Sequence, residues 1–382
     1  MNVAGIYLHI PFCRSRCSYC DFATDVYKSA EIVESYVSAL TKEIENYNNF
    51  TRPLTQTVLT KADTIYFGGG TPSLLSPAQL EKILNSIHKK FSVCENSEIT
   101  MELNPATVTL ETLKSYKNLG LTRASFGAQT FDDAELKRLG RRHTAADVRE
   151  TIELLREAGF DNVSFDLIAG LPRQTIRDWE RNLDEALKLK PEHLSLYLLE
   201  IHEATPLAEQ IRSNRQPLPD EDLAAAMYEL MLEKTSAHDY RQYEISNFAL
   251  PGFESKHNSK YWTLDAVYGF GCSAHSFNGE NRRYSNERDT ARYVAMLEET
   301  GAATVEKNKI DAASEFIFLG LRLTKGVDLI DYKRRFGIDL RSRYAADLEH
   351  LESLGLIEFV GNHLKLTAKG FLFSNEVFAA FV

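Results

Sequence analysis

No run of about 18 apolar residues occurs in this chain, so no segment reads as a membrane-spanning helix. A basic leader is missing too. Met1 to Ile10 contains no Lys or Arg and runs straight into a group of cysteines, so nothing there marks the chain for export. Basic residues are in deficit, 44 Lys and Arg against 54 Asp and Glu, for a formal charge of −10. That balance argues against a general phosphate-binding surface, hence against nucleic acid, and against a polybasic membrane anchor. Glycine and proline are sparse, at 20 and 11 of 382 residues, which excludes collagen-like and low-complexity chains. Cysteine is scarcer still. There are five, an odd number, and Cys13, Cys17 and Cys20 fall within eight residues. A disulfide scaffold spreads its cysteines along the chain, so this grouping points to metal or redox chemistry in a reducing cytosol.

What is present is ordinary globular material, 43 % hydrophobic and 26 % charged, long enough for two or three domains at about 150 residues each. Gly5–Ile10 alternates like a strand. From Ser29 to Tyr47, Ile32, Val33, Tyr36, Val37, Leu40 and Ile44 recur at helical spacing. Thr64–Phe67 is strand-like and stops at three glycines. Ser76-Pro77 then opens a helix as N-cap and first-turn proline. Strands at Glu98–Leu103, Arg123–Phe126, Val163–Ile168 and His193–Leu199 alternate with helices at Thr109–Leu119, Thr144–Ala158 and Thr175–Leu189. Six strands separated by helices predict a parallel sheet with its helices outside, and six units are too few to close an eight-stranded barrel. The expected fold is α/β: a partial (β/α)6 barrel with its chemistry at the C-terminal strand ends.

Three parts are expected: a barrel over residues 1–200, an extension over 201–310, and a C-terminal helical domain over 311–382. The extension carries helices near Leu207–Arg212 and Asp220–Ala237, then an aromatic-rich stretch from Tyr240 to Tyr284. The last part reads as three helices and a hairpin, Leu356–Val360 and His363–Thr367, the outline of a winged helix. Its candidate recognition helix, Ser342–Leu354, carries Asp347, Glu349 and Glu352 against Arg343, a poor match for a phosphate-lined groove. A packing or partner-docking module is expected instead.

The spacing Cys13-x3-Cys17-x2-Cys20 places three thiolates on the loop after the first strand. Residue chemistry alone leaves two solutions open. One is a zinc site completed by Cys94, Cys272 or His9. The other is a cubane iron–sulfur cluster whose fourth iron is free to chelate a small molecule. The spacing, with Tyr19 immediately before the third Cys, resembles the cluster motif of the radical S-adenosylmethionine (SAM) superfamily. That resemblance implies a [4Fe-4S] cluster on Cys13, Cys17 and Cys20. It also implies SAM bound to the open iron through its amine and carboxylate and cleaved reductively to a 5′-deoxyadenosyl radical.

Further segments narrow the resemblance. Tyr7-Leu8-His9-Ile10-Pro11-Phe12-Cys13, Phe67-Gly68-Gly69-Gly70-Thr71-Pro72 and Phe165-Asp166-Leu167-Ile168-Ala169-Gly170-Leu171-Pro172 are similar to the branch containing oxygen-independent coproporphyrinogen dehydrogenase. The dehydrogenase has another Cys two positions after the third, where this chain has Phe22. His257-Asn258-Ser259-Lys260-Tyr261-Trp262 resembles the HNxxYW motif of the HemW-type heme chaperones. The family pattern implies SAM contacts at Tyr7, Gly69, Gly70, Thr71, Glu102, Gln129, Arg141 and Asp166, with Tyr19 beside the cluster. Arg142 competes with Arg141 for the carboxylate-pairing role. For heme, the pattern implies His257, Asn258, Tyr261 and Trp262, with Lys256 and Lys260 near the propionates and His275 as a second imidazole. The expected partners are heme, a heme-accepting protein and an electron donor for the cluster. The alternatives are a porphyrinogen dehydrogenase and a structural zinc protein.

Overall fold

The alternation that defines the strands also sorts their side chains between two environments. Six strands carry the barrel: β1 (Ala4–Ile10), β2 (Thr60–Gly69), β3 (Phe91–Leu103), β4 (Arg123–Gln129), β5 (Val163–Ala169) and β6 (His193–Leu198). Ile6, Leu8, Ile65, Phe67, Met101, Phe126, Phe165 and Leu194 belong to one buried apolar core, where each such side chain contributes about 1.5–3 kcal/mol. The alternate positions are polar: Tyr7, Thr64, Tyr66, Glu102, Arg123, Asp166 and Ser195 sit on the opposite face of the same strands. The barrel therefore has an apolar outer wall and a polar lumen.

The computed structural model of the chain describes residues 3–47 and 60–382. Among these, helices α1 (Ala30–Asn46), α2 (Pro77–Lys90), α3 (Leu110–Asn118), α4 (Asp133–Arg138), α5 (Ala145–Glu157) and α6 (Ile176–Lys188) connect the strands. Their starts are encoded locally. Ser76 caps α2 with a reciprocal bond from Gln79, and Thr144 and Thr175 form the same device with Asp147 and Asp178. The short α4, capped by Asp132, is one helix that the apolar periodicity does not signal.

Beyond β6 the chain forms α7 (Pro206–Arg212), α8 (Glu221–Ser236), β7 (Arg241–Gln242), β8 (Asn247–Ala249), α9 (Lys256–Trp262), β9 (Val267–Phe270), β10 (His275–Phe277), β11 (Arg282–Asn286), α10 (Thr290–Thr300) and β12 (Thr304–Lys309). These twelve strands join one sheet in the order β12-β11-β10-β9-β1-β2-β3-β4-β5-β6-β8-β7. Its centre is parallel, as the pattern predicts, but it holds seven parallel strands rather than six. β9, from the aromatic-rich stretch, lies parallel to β1 with Tyr7 opposite Gly269. The sheet ends in separate edges, β12 and β7, so the barrel is open.

The C-terminal part contains α11 (Ala312–Gly320), β13 (Val327–Asp328), α12 (Leu329–Phe336), α13 (Leu340–Arg343), α14 (Ala345–Ser353), β14 (Ile357–Val360) and β15 (His363–Leu366). The expected single helix over Ser342–Leu354 is two. α13 ends at Tyr344, whose hydroxyl is held by Ser314 at 2.8 Å, and α14 starts afresh. A second core of Ile317, Leu321, Tyr332, Leu351 and Leu364 takes in Leu264 and Phe277 from the preceding segment. Among the described residues no helix is long and apolar enough to cross a membrane.

Candidate functional site

The cysteine loop leaves β1 at Pro11 and is tied down on several sides. Phe12–Cys13 pairs with Asp25–Val26. Ser18, between the second and third Cys, donates its N–H to Leu139 O at 2.9 Å and accepts from Leu207 N at 2.8 Å. Tyr19 packs on Leu139 at the end of α4 and on Ile168 and Leu171 at the end of β5. This anchoring keeps Cys13, Cys17 and Cys20 within electrostatic reach of one another. Burial pushes the Cys13 thiol up to about 11, opposed by the Thr71 hydroxyl, which donates to its Sγ at 3.5 Å. Loading a metal here must release that proton.

The proposed fourth zinc ligands are committed elsewhere. His9 uses Nε2 on Ala23 O at 2.8 Å and Nδ1 on the Tyr7 hydroxyl at 3.1 Å. Cys272 is buried between the Tyr36 and Thr290 hydroxyls, and Cys94 lies at the far end of β3. Among the described residues no three His, Cys, Asp or Glu side chains gather for a single metal ion.

The strand ends bring the other residues of the motif set together. Gly69 has φ +112, a conformation that favours glycine, and its N–H donates to Glu102 Oε2 at 3.2 Å. A Cβ on Gly70 would stand 2.8 Å from the Pro11 and Phe12 carbonyl oxygens, so glycine lets the β2 turn touch the root of the cysteine loop. Tyr66 donates to Glu102 Oε1 at 2.7 Å. Burial drives Glu102 up to about 7 against that hydrogen bond, and burial drives Asp166 up to about 6 against one from Ser195. Gln129 is buried at the end of β4 with φ +67.

Arg141, and not the exposed Arg142, faces the cysteines. Its guanidinium donates to Asn104 Oδ1 at 2.9 Å, Gly127 O at 2.6 Å and Cys17 Sγ at 3.6 Å, while its buried Nε has no partner. In the lumen below, Arg123 is 1 % exposed, and its Nε and one terminal nitrogen are likewise without partners. Two desolvated carboxylates beside guanidinium donors left open fit a zwitterionic amino acid with an additional cationic centre, and SAM has that charge pattern. Sequence reasoning missed Arg123, Tyr66 and Ser195. Their signal was the polar half of each alternating strand, which marks a polar lumen once the sheet curls.

The HNxxYW helix α9 is divided between two environments. Its N-terminal N–H groups, those of Lys256 and His257, are capped by the Glu98 carboxylate at 3.1 and 3.0 Å. His257 is 1 % exposed and lies in the lumen, with Tyr66 stacked at a centroid distance of 5.0 Å. Its Nδ1 meets the Thr64 hydroxyl at 2.8 Å and its Nε2 the Tyr261 hydroxyl at 3.1 Å; burial lowers its pKa to about 3. Asn258 is half-buried, its N–H bonded to the Ser255 cap. Trp262 turns to the other side and stacks on the Arg322 guanidinium at 4.3 Å.

Of the expected heme residues, His257 and Tyr261 face each other in the lumen, while Trp262 meets Arg322. The imidazole is buried with both nitrogens engaged. Lys260, expected near a propionate, is buried, pairs with Asp63 at 2.8 Å and donates to Val3 O. His275 is exposed.

An open parallel barrel with a three-cysteine loop after its first strand and paired carboxylates at its mouth defines a radical SAM protein. Residues 7–186 match the Radical SAM superfamily and residues 308–373 the HemN C-terminal domain. The chain is 37 % identical to the heme chaperone HemW of Bacillus subtilis (strain 168) over 98 % of both chains. It is 30 % identical to that of Escherichia coli (strain K12), over 99 % of this chain and 98 % of the relative. The chain belongs to the HemW family. Its fold superposes on the coproporphyrinogen III oxidase HemN of Escherichia coli with a TM-score of 0.86 at 22 % identity, covering 100 % of this chain and 90 % of the other. Membership of the superfamily implies a [4Fe-4S] cluster and SAM.

Proposed function

We propose that this chain is a cytoplasmic heme chaperone that holds a [4Fe-4S] cluster and SAM, binds heme and passes it to an acceptor protein, a respiratory heme enzyme being one such acceptor. The observation that carries the cluster and SAM half is the Arg141 guanidinium, which ties Cys17 to the ends of β3 and β4 and keeps a buried Nε–H in reserve. When bound, the cluster supplies an electron, delivered by an external donor, and an open iron for the amino-acid end of SAM. Cys13, Cys17 and Cys20 would hold it. Arg141 meets the SAM carboxylate with charge-assisted hydrogen bonds. Glu102 and Asp166 balance the cationic groups, while Gly69, Gly70 and Thr71 bring backbone against the ligand. Tyr7, Tyr19 and Gln129 complete the walls.

The heme half is supported by the HemW relatives, which are named heme chaperones. Phe22, at the position of the dehydrogenase's additional Cys, is 66 % exposed and offers no ligand. The test is anaerobic reconstitution with iron and sulfide, then heme titration, transfer to an apo-acceptor and incubation with coproporphyrinogen III and reductant. Heme uptake and transfer without protoporphyrinogen formation is the expected result. Multiple-turnover decarboxylation, or tight zinc with no iron uptake, would overturn the proposal.

A further inference from the structure

Arg123 is a charge without a bonded counterpart. β4 sends Ala124, Phe126 and Ala128 to the apolar core, so Arg123, Ser125, Gly127 and Gln129 face the lumen. The Arg123 side chain is 1 % exposed, and its Nε and Nη1 have no hydrogen-bond partner among the described residues. A guanidinium cannot shed its proton inside a protein, and a buried charge needs an opposite one near it. Glu98 is committed, with one oxygen on the N–H of Lys256 and the other on that of His257. The imidazoles beside Arg123 stay neutral. His193 is held by the Ser164 and Tyr243 hydroxyls and His257 by those of Thr64 and Tyr261. Glu102 and Asp166 remain.

Strand register sets these two carboxylates above Arg123. Thr100 pairs with Arg123 and Glu102 with Ser125, so Glu102 stands one inward position higher on the neighbouring strand. Gly127 pairs with Asp166 on the other side, two inward positions higher. One such position is about 7 Å along a strand. Both carboxylates feel the positive charge of Arg123, which opposes the effect of burial, and Asp166 also feels Arg141. Their other partners are uncharged. Glu102 accepts from Tyr66 and Gly69, and Asp166 from Ser195. Tyr7, Tyr66, Tyr197 and Tyr261 face Glu102, and Tyr19, Tyr66 and Tyr197 face Asp166; burial keeps these phenols protonated.

We propose that Arg123 is a positioning residue for SAM, whose charge keeps Glu102 and Asp166 ionised and turned to the ligand's cationic groups while Arg141 takes its carboxylate. The assignment rests on the reading of the barrel mouth as a SAM site and adds the group that readies its carboxylates. A packing role would not call for arginine here. Replacing a buried, unpaired charge by an apolar side chain of similar length leaves a fold as stable or more so. Retaining the charge serves the ligand.

The test uses the reconstituted full chain as wild type, Arg123→Met and Arg123→Lys. SAM binding is followed by calorimetry from pH 5.5 to 8.5 in two buffers of different ionisation enthalpy, which counts the protons released. Iron and sulfide content and urea denaturation are measured beside it. Arg123→Met should load its cluster and be at least as stable as wild type. Its rise in SAM affinity should move about one pH unit upward, an approximately tenfold loss at pH 7. More protons should leave on binding at pH 7.5, and Arg123→Lys should restore most of the wild-type profile. A Met variant that unfolds, or that binds SAM uniformly less well with no movement of the profile, would make Arg123 structural and overturn the proposal. A Met variant identical to wild type, or a Lys variant no better than Met, would overturn it as well and leave the SAM site standing. Wild type that binds no SAM at any pH would overturn the SAM site itself.

Discussion

The Nε2 of His257 lies 3.1 Å from the hydroxyl of Tyr261, one helical turn further along α9. With Nδ1 on Thr64 at 2.8 Å, the imidazole fastens the helix to β2 from inside the barrel. The ring also stacks on Tyr66, whose hydroxyl donates to Glu102. The HNxxYW helix thus forms a floor beneath the residues assigned to SAM.

The consequence for His257→Ala is loss of stability. Removing the ring leaves two buried hydroxyls short of a partner and opens a cavity, for a cost of about 3 kcal/mol. Urea denaturation, run beside the heme titration, checks it. A variant as stable as wild type that loses only heme affinity would make His257 a ligand and not a strut.

Replacing any one of Cys13, Cys17 and Cys20 by Ser should reduce reconstituted iron and sulfide to background, whereas Cys94→Ser and Cys272→Ser should load normally. Those two residues lie apart from the cysteine loop. Addition of SAM should alter the electron paramagnetic resonance of the reduced wild-type cluster and leave the variants silent.

The two carboxylates of the mouth set a pH dependence. Glu102 near 7 and Asp166 near 6 are neutral below those values in the ligand-free chain. A cationic ligand favours their ionised forms, so SAM affinity should rise as pH climbs from 5.5 to 8. The change is up to about tenfold per unit below the pKa of each group. Stability of the ligand-free chain runs the other way. The folded state keeps a proton on Glu102 that the unfolded chain releases between about 4.5 and 7, so stability falls as pH rises through that window. Calorimetry of SAM binding against pH, with Glu102→Gln flattening the upper part of the profile, checks the assignment.

Arg322 joins the C-terminal part to the barrel. It stacks on Trp262, lies near Phe378 and stands 3.9 Å from Glu244, which is 1 % exposed. Arg322→Ala strips a buried carboxylate of its cation and an indole of its cover. A loss of about 2–4 kcal/mol is expected. Limited proteolysis should then cut the chain ahead of α11 faster than in wild type.

Local chemistry settles much of this protein before it folds. Three cysteines in eight residues set the cluster loop. Ser76, Thr144 and Thr175 start their helices through bonds to residues three positions away, and alternation along β1 to β6 sorts an outer wall from a lumen. These features depend on neighbours in sequence, so the sequence carries them by itself. The remainder depends on residues far apart. β9 pairs with β1 across some 260 positions, and a parallel pairing of that span leaves no local signature. Arg141 and Arg142 are adjacent and chemically identical, and only the packing of β3, β4 and the cysteine loop points one of them at Cys17. His257 lies in a motif that suits a heme ligand, and only the folded sheet brings its ring against Thr64 and Tyr66. A periodic pattern states which residues share a face, and the tertiary structure alone decides what covers that face.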